Sequence, residues 1–136
     1  KRQRLYEYTS ETPEILKNPL IRLRENAYKN SKIKVRTYTT TAKGRSTSTH
    51  VHSYAIQRSQ GICESCDAPA PFETKNGTPY LEVHHLKPIS QGGSDHPENV
   101  AAVCPNCHSR TQKARDSEIF NNGIIKKILA KEKKLG

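Results

Sequence analysis

The sequence predicts a small α+β domain stapled by a bound metal, and three observations carry this. Four cysteines fall in two Cys-x-x-Cys pairs, Cys63/Cys66 and Cys104/Cys107, a pattern that suits one tetrahedral metal site better than two disulfides. Only 32% of the 136 residues are hydrophobic, with no Trp and no Met, so the core is thin and needs a staple. From the first cysteine pair onward the pattern runs hairpin strand, loop, strand, helix, with the second pair at the start of the helix.

The elements follow in chain order. Residues 1–12 are polar and without a clear period. Across residues 13–28, Ile15, Leu16, Leu20, Leu23 and Ala27 recur at helical spacing, with Thr12 as cap and Pro13 at the first position. Pro19 kinks or splits this helix at Asn18. Residues 32–40 alternate Ile33, Val35 and Thr37 with Lys32, Lys34 and Arg36. They read as a strand whose basic face either keeps an edge soluble or meets phosphate. Residues 42–49 read as a linker.

From about residue 49 to 60, Val51, Tyr54, Ala55 and Arg58 predict a helix ended by Gly61, and His50 and His52 face solvent. After the first cysteine pair, Pro69 and Pro71 stiffen a loop, and Phe72 is expected to anchor in the core. Asn76-Gly77 predicts a hairpin turn with positive φ at both central residues. The returning strand covers residues 80–84, residues 87–99 form a loop around Gly92-Gly93, and residues 100–103 form a buried strand. Cys104 then caps a helix with Pro105 at its first position. Residues 116–120 add a turn. A last amphipathic helix starts after Asn122 or Gly123, with Ile124, Ile125, Ile128 and Leu129 along one stripe.

Charge is unevenly spread. The net charge is +10; residues 1–60 hold 13 Lys/Arg against 4 Asp/Glu, residues 61–120 hold 5 against 8, and residues 121–136 hold 5 against 1. A mildly acidic centre between basic flanks suits a polyanion, although a basic, soluble surface explains the flanks equally well. No signal peptide and no long apolar run is visible, so no membrane partner and a reducing cytoplasm are expected. The chain does not begin with Met, and the expectation is a fragment or processed chain.

The chemistry concentrates in residues 80–108. Cys63, Cys66, Cys104 and Cys107 supply four soft thiolates, which fill a tetrahedral zinc shell and leave no open position, so that site is structural. His84 and His85 are neighbours on a strand and point to opposite faces. One can bind a metal while the other faces a different target. His108 follows the last zinc thiolate at the helix start and can be brought against His84. Taken singly, the histidine pair reads as two ordinary polar residues, Asn99 as a turn residue, and His108 as a second-sphere partner of the zinc. His96 and Asp95 read as loop-shaping; Lys87 and Arg110 are candidate phosphate contacts. Lys126 and Lys127 on the last helix either touch phosphate or stay solvated.

The sequences GICESC, APF at 70–72, GTPYLEVHH, GG-x-D, Asn99 and CPNCH, in that order across residues 61–108, resemble the HNH (ββα-metal, His-Me finger) nucleases, and within them the McrA-like group. The resemblance implies a zinc-stapled ββα-metal fold with flanking helices. The resemblance does not reach residues 1–47, which are expected to form a basic extension with a helix and a strand, as a linker to a further domain; residues 48–136 are expected to form the nuclease domain, ending in the basic helix. The resemblance implies a metal-dependent DNA endonuclease that leaves 5′-phosphate and 3′-hydroxyl ends. His85 resembles the general base, His84 and His108 the ligands of the catalytic divalent ion, and Asn99 the residue that holds the loop behind the base.

Structural Zn²⁺ and catalytic Mg²⁺ or Mn²⁺, with Co²⁺ or Ni²⁺ as substitutes, are the implied cofactors. DNA is the implied partner, with an N-terminal reading domain or partner protein; a homodimer is one option. Relatives serve bacterial or phage-related restriction and antiviral defence. The chain departs from the family at Gln112, where many relatives carry another histidine. Three readings follow: an ion held by His84, His108 and waters, with Gln112 acting through water; a weakened nickase; or a non-catalytic, zinc-stabilised nucleic-acid-binding module.

Overall fold

A computed structural model describes residues 19–31 and 48–136. The expected cap at Thr12, the start of the first helix, the strand at 32–40 and most of the linker lie outside the described residues. The described elements, in order, are helices α1 (Pro19–Lys29) and α2 (Thr49–Ser59), strands β1 (Glu82–His85) and β2 (Val100–Val103), and helices α3 (Pro105–Lys113) and α4 (Ser117–Leu135). Short 3₁₀ turns cover Ile89–Gln91 and Pro97–Asn99.

Pro19 stands at the first position of α1, where its missing N–H costs nothing. Ser48 caps α2, its Oγ accepting from the amides of His50 and Val51. The helix ends one residue earlier than the glycine predicts. Gln60 takes the left-handed conformation (φ 51°), Gly61 follows at φ 79°, and the Gln60 amide bonds the Gln57 carbonyl. The turn at Asn76-Gly77 also differs from expectation: Gly77 has φ 84°, but Asn76 is not left-handed. Bonds from Thr74 N to the Thr78 carbonyl and from Gly77 N to the Thr74 carbonyl close it.

Strands β1 and β2 pair antiparallel, with His84 opposite Ala101 and His85 opposite Val100. All four residues of β2 are buried. One core gathers Cys63, Leu81, Leu86, Ala101, Val103, Cys107, Ile124 and Ile128; another gathers Ala27, Val51, Tyr54, Ala55 and Val100. Phe72 does not join either. It is 54% exposed and stacks on Tyr80 with ring centroids 4.8 Å apart, because the proline-rich loop carries it outward on the hairpin.

The last helix begins at Ser117 and runs unbroken through Gly123. A mid-helix glycine costs about 1 kcal/mol, which burial of Ile124 and Ile128 offsets. One stripe of α4 therefore holds Asn121, Ile124, Ile128 and Glu132, with the two isoleucines between two polar ends.

The lower end forms a buried ionic cluster. All five guanidinium donors of Arg58 are used: two on the Glu64 carboxylate (2.8 and 2.9 Å), one on Glu132 (2.8 Å), and one each on the Pro97 and Val100 carbonyls. Glu132 also accepts from Tyr54, from Tyr28 (2.8 Å) and from Arg24 (2.9 Å). Arg24 and Tyr28 belong to α1, so this carboxylate ties α1, α2 and α4 together. Burial alone would raise the Glu132 carboxyl; the bonds from Tyr54, Arg58 and Tyr28 overcome it and hold the group below the usual carboxylate range.

Candidate active site

The cysteine pairs meet at the start of α3. The four sulfurs lie within 4.8 Å of one another and none is in a disulfide, so the cluster can hold one metal ion. Burial alone would raise the Cys63 thiol. The amides of Cys66, Cys104 and Ser65 donate to its Sγ at 3.3–3.4 Å and bring it down to about 7, toward the thiolate that a metal needs. Pro105 and the bond from His108 N to the Cys104 carbonyl (2.9 Å) then start α3 in a fixed direction.

His108 lies on that first turn, beside the sheet. Its ring centroid is 5.2 Å from that of His84 on β1. Both rings, together with His85 and Gln112, line one cleft of about 400 Å³ between the sheet, α3 and the start of α4. Each imidazole is held at one nitrogen by an acceptor: His108 Nδ1 by Glu82 (2.7 Å), His85 Nε2 by Asp95 (3.0 Å), and His84 Nε2 by Asn121 (2.8 Å). Burial lowers the pKa of His84, against the opposing bond from Asn121, so its neutral form is favoured.

Behind His85 the backbone is clamped. The Asn99 carboxamide accepts from Lys87 N (2.9 Å) and donates to the Lys87 and Ser94 carbonyls (3.0 and 2.7 Å). Gly93 makes this loop possible: a Cβ there would fall 1.9 Å from the Lys87 carbonyl oxygen. Asp95, 1% exposed, also accepts from the Ser48 amide, so the carboxylate on His85 is itself anchored to the start of α2.

The expected phosphate contacts are divided. Lys87 and Lys126 are exposed. Arg110 is paired with Asp116 at 2.6 Å and lies over the Phe120 ring. Lys127 bonds Asp67 and the Ser65 carbonyl, both at 2.8 Å. His96 meets Tyr28 edge-on, and its Nδ1 accepts from Glu98 N.

Sequence reasoning missed Glu82, Asn121 and the Arg58–Glu64–Glu132 cluster. Glu82 was legible in part, since residues two apart on a strand share a face and Glu82 precedes His84 by two. Arg58 on an otherwise apolar helix face was a second signal. Nothing marked Asn121.

A two-stranded antiparallel sheet crossed by a helix, with three imidazoles along one cleft and a cysteine cluster behind them, defines a nuclease-type ββα domain. Residues 63–113 match the family model described as HNH endonuclease. Over 68 residues, half of the chain, the sequence is 46% identical to the type IV methyl-directed restriction enzyme EcoKMcrA of Escherichia coli (strain K12), and it spans 24% of that protein. Among solved structures, the type IV phosphorothioation-dependent restriction endonuclease ScoMcrA superposes with a TM-score of 0.68 at 23% identity, covering 94% of this chain and 26% of that one. That likeness is one of fold.

Proposed function

We propose that this chain is the cutting module of a restriction or anti-phage defence protein, hydrolysing DNA phosphodiesters with a divalent ion to leave 5′-phosphate and 3′-hydroxyl ends. The observation that carries the reading is the convergence of His84, His85 and His108 on one cleft, each with a ring nitrogen already held by a neighbouring acceptor.

Two metals fit the donor sets. Four thiolates suit Zn²⁺, whose Zn–S bonds of about 2.3 Å place tetrahedral sulfurs roughly 3.8 Å apart, and the four sulfurs here lie within 4.8 Å of one another. His84 and His108 would hold a second, hydrated ion such as Mg²⁺ or Mn²⁺, with Gln112 one turn beyond His108 and on the same cleft. When bound, that ion neutralises phosphate charge and stabilises the leaving 3′ oxygen.

The chain's own residues do the rest. The Asp95 carboxylate accepts a hydrogen bond from His85 Nε2–H, which leaves the lone pair of the neutral ring on Nδ1. That nitrogen takes the proton of the attacking water, and a neutral imidazole suits this role near pH 7. Asn99 keeps the backbone beyond His85 from moving. Lys87 and Lys126 meet DNA phosphates, whereas Arg110 and Lys127 do so only by giving up their ion pairs. The basic extension, residues 1–47, would link the nuclease domain, residues 48–136, to a DNA-reading domain or partner, and its α1 packs directly on that nuclease domain. No helix among the described residues is long and apolar enough to cross a membrane.

The test is supercoiled plasmid incubated with a series of Mg²⁺, Mn²⁺, Co²⁺ and Ni²⁺. Cleavage should appear with at least one ion, stop with EDTA, and be lost in His85→Ala. DNA binding without any cleavage in the whole series would instead favour a binding module disabled at Gln112.

A further inference from the structure

Helix α4 lies beyond the segment that matches the HNH family, yet its first turns place a side chain on the histidine cleft. The Asn121 carboxamide makes two bonds there. Nδ2 donates to the Leu86 carbonyl at 2.8 Å, and Oδ1 lies 2.8 Å from His84 Nε2. The two ends of a carboxamide are not interchangeable in this setting. A backbone carbonyl only accepts, so the NH₂ group must face Leu86, and the oxygen is left facing His84. An amide oxygen also only accepts, so His84 Nε2 must carry the proton. In a neutral imidazole the lone pair then sits on Nδ1. His84 as a residue is only 8% exposed, which limits access of water as an alternative partner.

We infer that Asn121 is a positioning residue that locks His84 in its Nε2–H form and so presents Nδ1 as the ligand atom. The inference rests on the reading that His84 holds the divalent ion. It makes α4 part of the metal-binding apparatus. The Leu86 carbonyl sets the direction of the amide, and the amide sets the tautomer of the ligand. Ile124 and Ile128, packed one and two turns further along the same stripe, hold the helix at the required depth. Outer partners of this kind typically contribute about 10–100-fold in metal affinity.

The experiment uses the full chain with its cysteine-bound metal retained, uniformly ¹⁵N-labelled and free of any added divalent ion. Long-range ¹H–¹⁵N correlation spectra at a pH where His84 is neutral report its tautomer directly. The expected result is a single Nε2–H form in the wild type, a mixture or the Nδ1–H form in Asn121→Ala, and the Nε2–H form in Asn121→Asp, which keeps an acceptor oxygen. Calorimetric titration with Mn²⁺ should show affinity weakened about 10–100-fold in Asn121→Ala, with the thermal melt unchanged. A wild-type Nδ1–H form overturns the inference, as does an Asn121→Ala chain that binds Mn²⁺ as tightly as the wild type. If Asn121→Ala does not fold, the wild-type spectrum and Asn121→Asp decide. A tautomer that follows Asn121 while His84→Ala leaves Mn²⁺ affinity unchanged overturns the ligand role of His84 alone.

Discussion

Two clusters of candidate metal ligands share the first turn of α3, and they are built in opposite ways. Cys107 and His108 are adjacent in sequence, yet one belongs to the sulfur cluster and the other to the histidine cleft. The cluster is closed: four like donors from two segments face inward, and a metal there would have no free position. The cleft is open: each imidazole is steadied at one nitrogen by Glu82, Asp95 or Asn121, which leaves the other nitrogen for chemistry. A closed site serves stability. An open site has to borrow its rigidity, and here it borrows from the cluster next door and from α4. Removing a cysteine should therefore damage both regions, whereas removing a histidine should damage only one.

The largest effect is expected at the cluster. Cys104→Ser should abolish the cooperative melt and release the bound metal, since structural zinc contributes on the order of 10 kcal/mol to small domains. Metal analysis alongside circular dichroism checks this, and an unchanged melting curve would remove the structural role. Next is His85→Ala, which should lower plasmid cleavage by about 10²–10⁴-fold while the melt stays within a few degrees of wild type. A matching loss of stability would mean that the cleft is not separable from the fold.

Glu132→Leu tests whether α4 is held by its ionic end. Removing one partner of a buried ion pair costs about 3–5 kcal/mol, here by leaving one Arg58 N–H without its acceptor and freeing Tyr28 and Arg24 of α1. Denaturant unfolding measures it; a cost below about 1 kcal/mol, the range of exposed pairs, would show the cluster to be dispensable.

The same carboxylates give a pH signature. Burial favours the protonated acids, but the bonds from Arg58 and its neighbours keep Glu64 and Glu132 below the usual range. Such groups add stability that is complete above their unfolded value of about 4.3 and is lost as the pH falls through the lower folded values. Unfolding midpoints should be flat down to about pH 5 and fall below about pH 4; Glu132→Leu should flatten that acid limb. The smallest effect is Arg110→Ala, whose exposed pair with Asp116 is screened by water, so its denaturant midpoint should coincide with that of the wild type.

How much of this was legible beforehand depends on how local each signal was. The second strand, the proline-started helix and the cysteine pairs were readable because spacing and turn chemistry act over a few residues. The local pattern suggests a start of the last helix after Asn122 or Gly123, whereas α4 runs unbroken from Ser117. A local glycine penalty of about 1 kcal/mol is outweighed by core contacts made many residues away. Phe72 was misplaced for a related reason: hydrophobicity says that a ring gains by burial, not whether its loop reaches the core.

By itself, the sequence determined which candidate ligands and bases the chain offers and in what order they come, because thiolates, imidazoles and their turn residues are identities and spacings. Only the tertiary structure decided what each of them touches. Asn121 meets His84 across 37 positions and Glu132 meets Arg58 across 74, and a hydrogen bond depends on separation in space, for which separation along the chain is no guide.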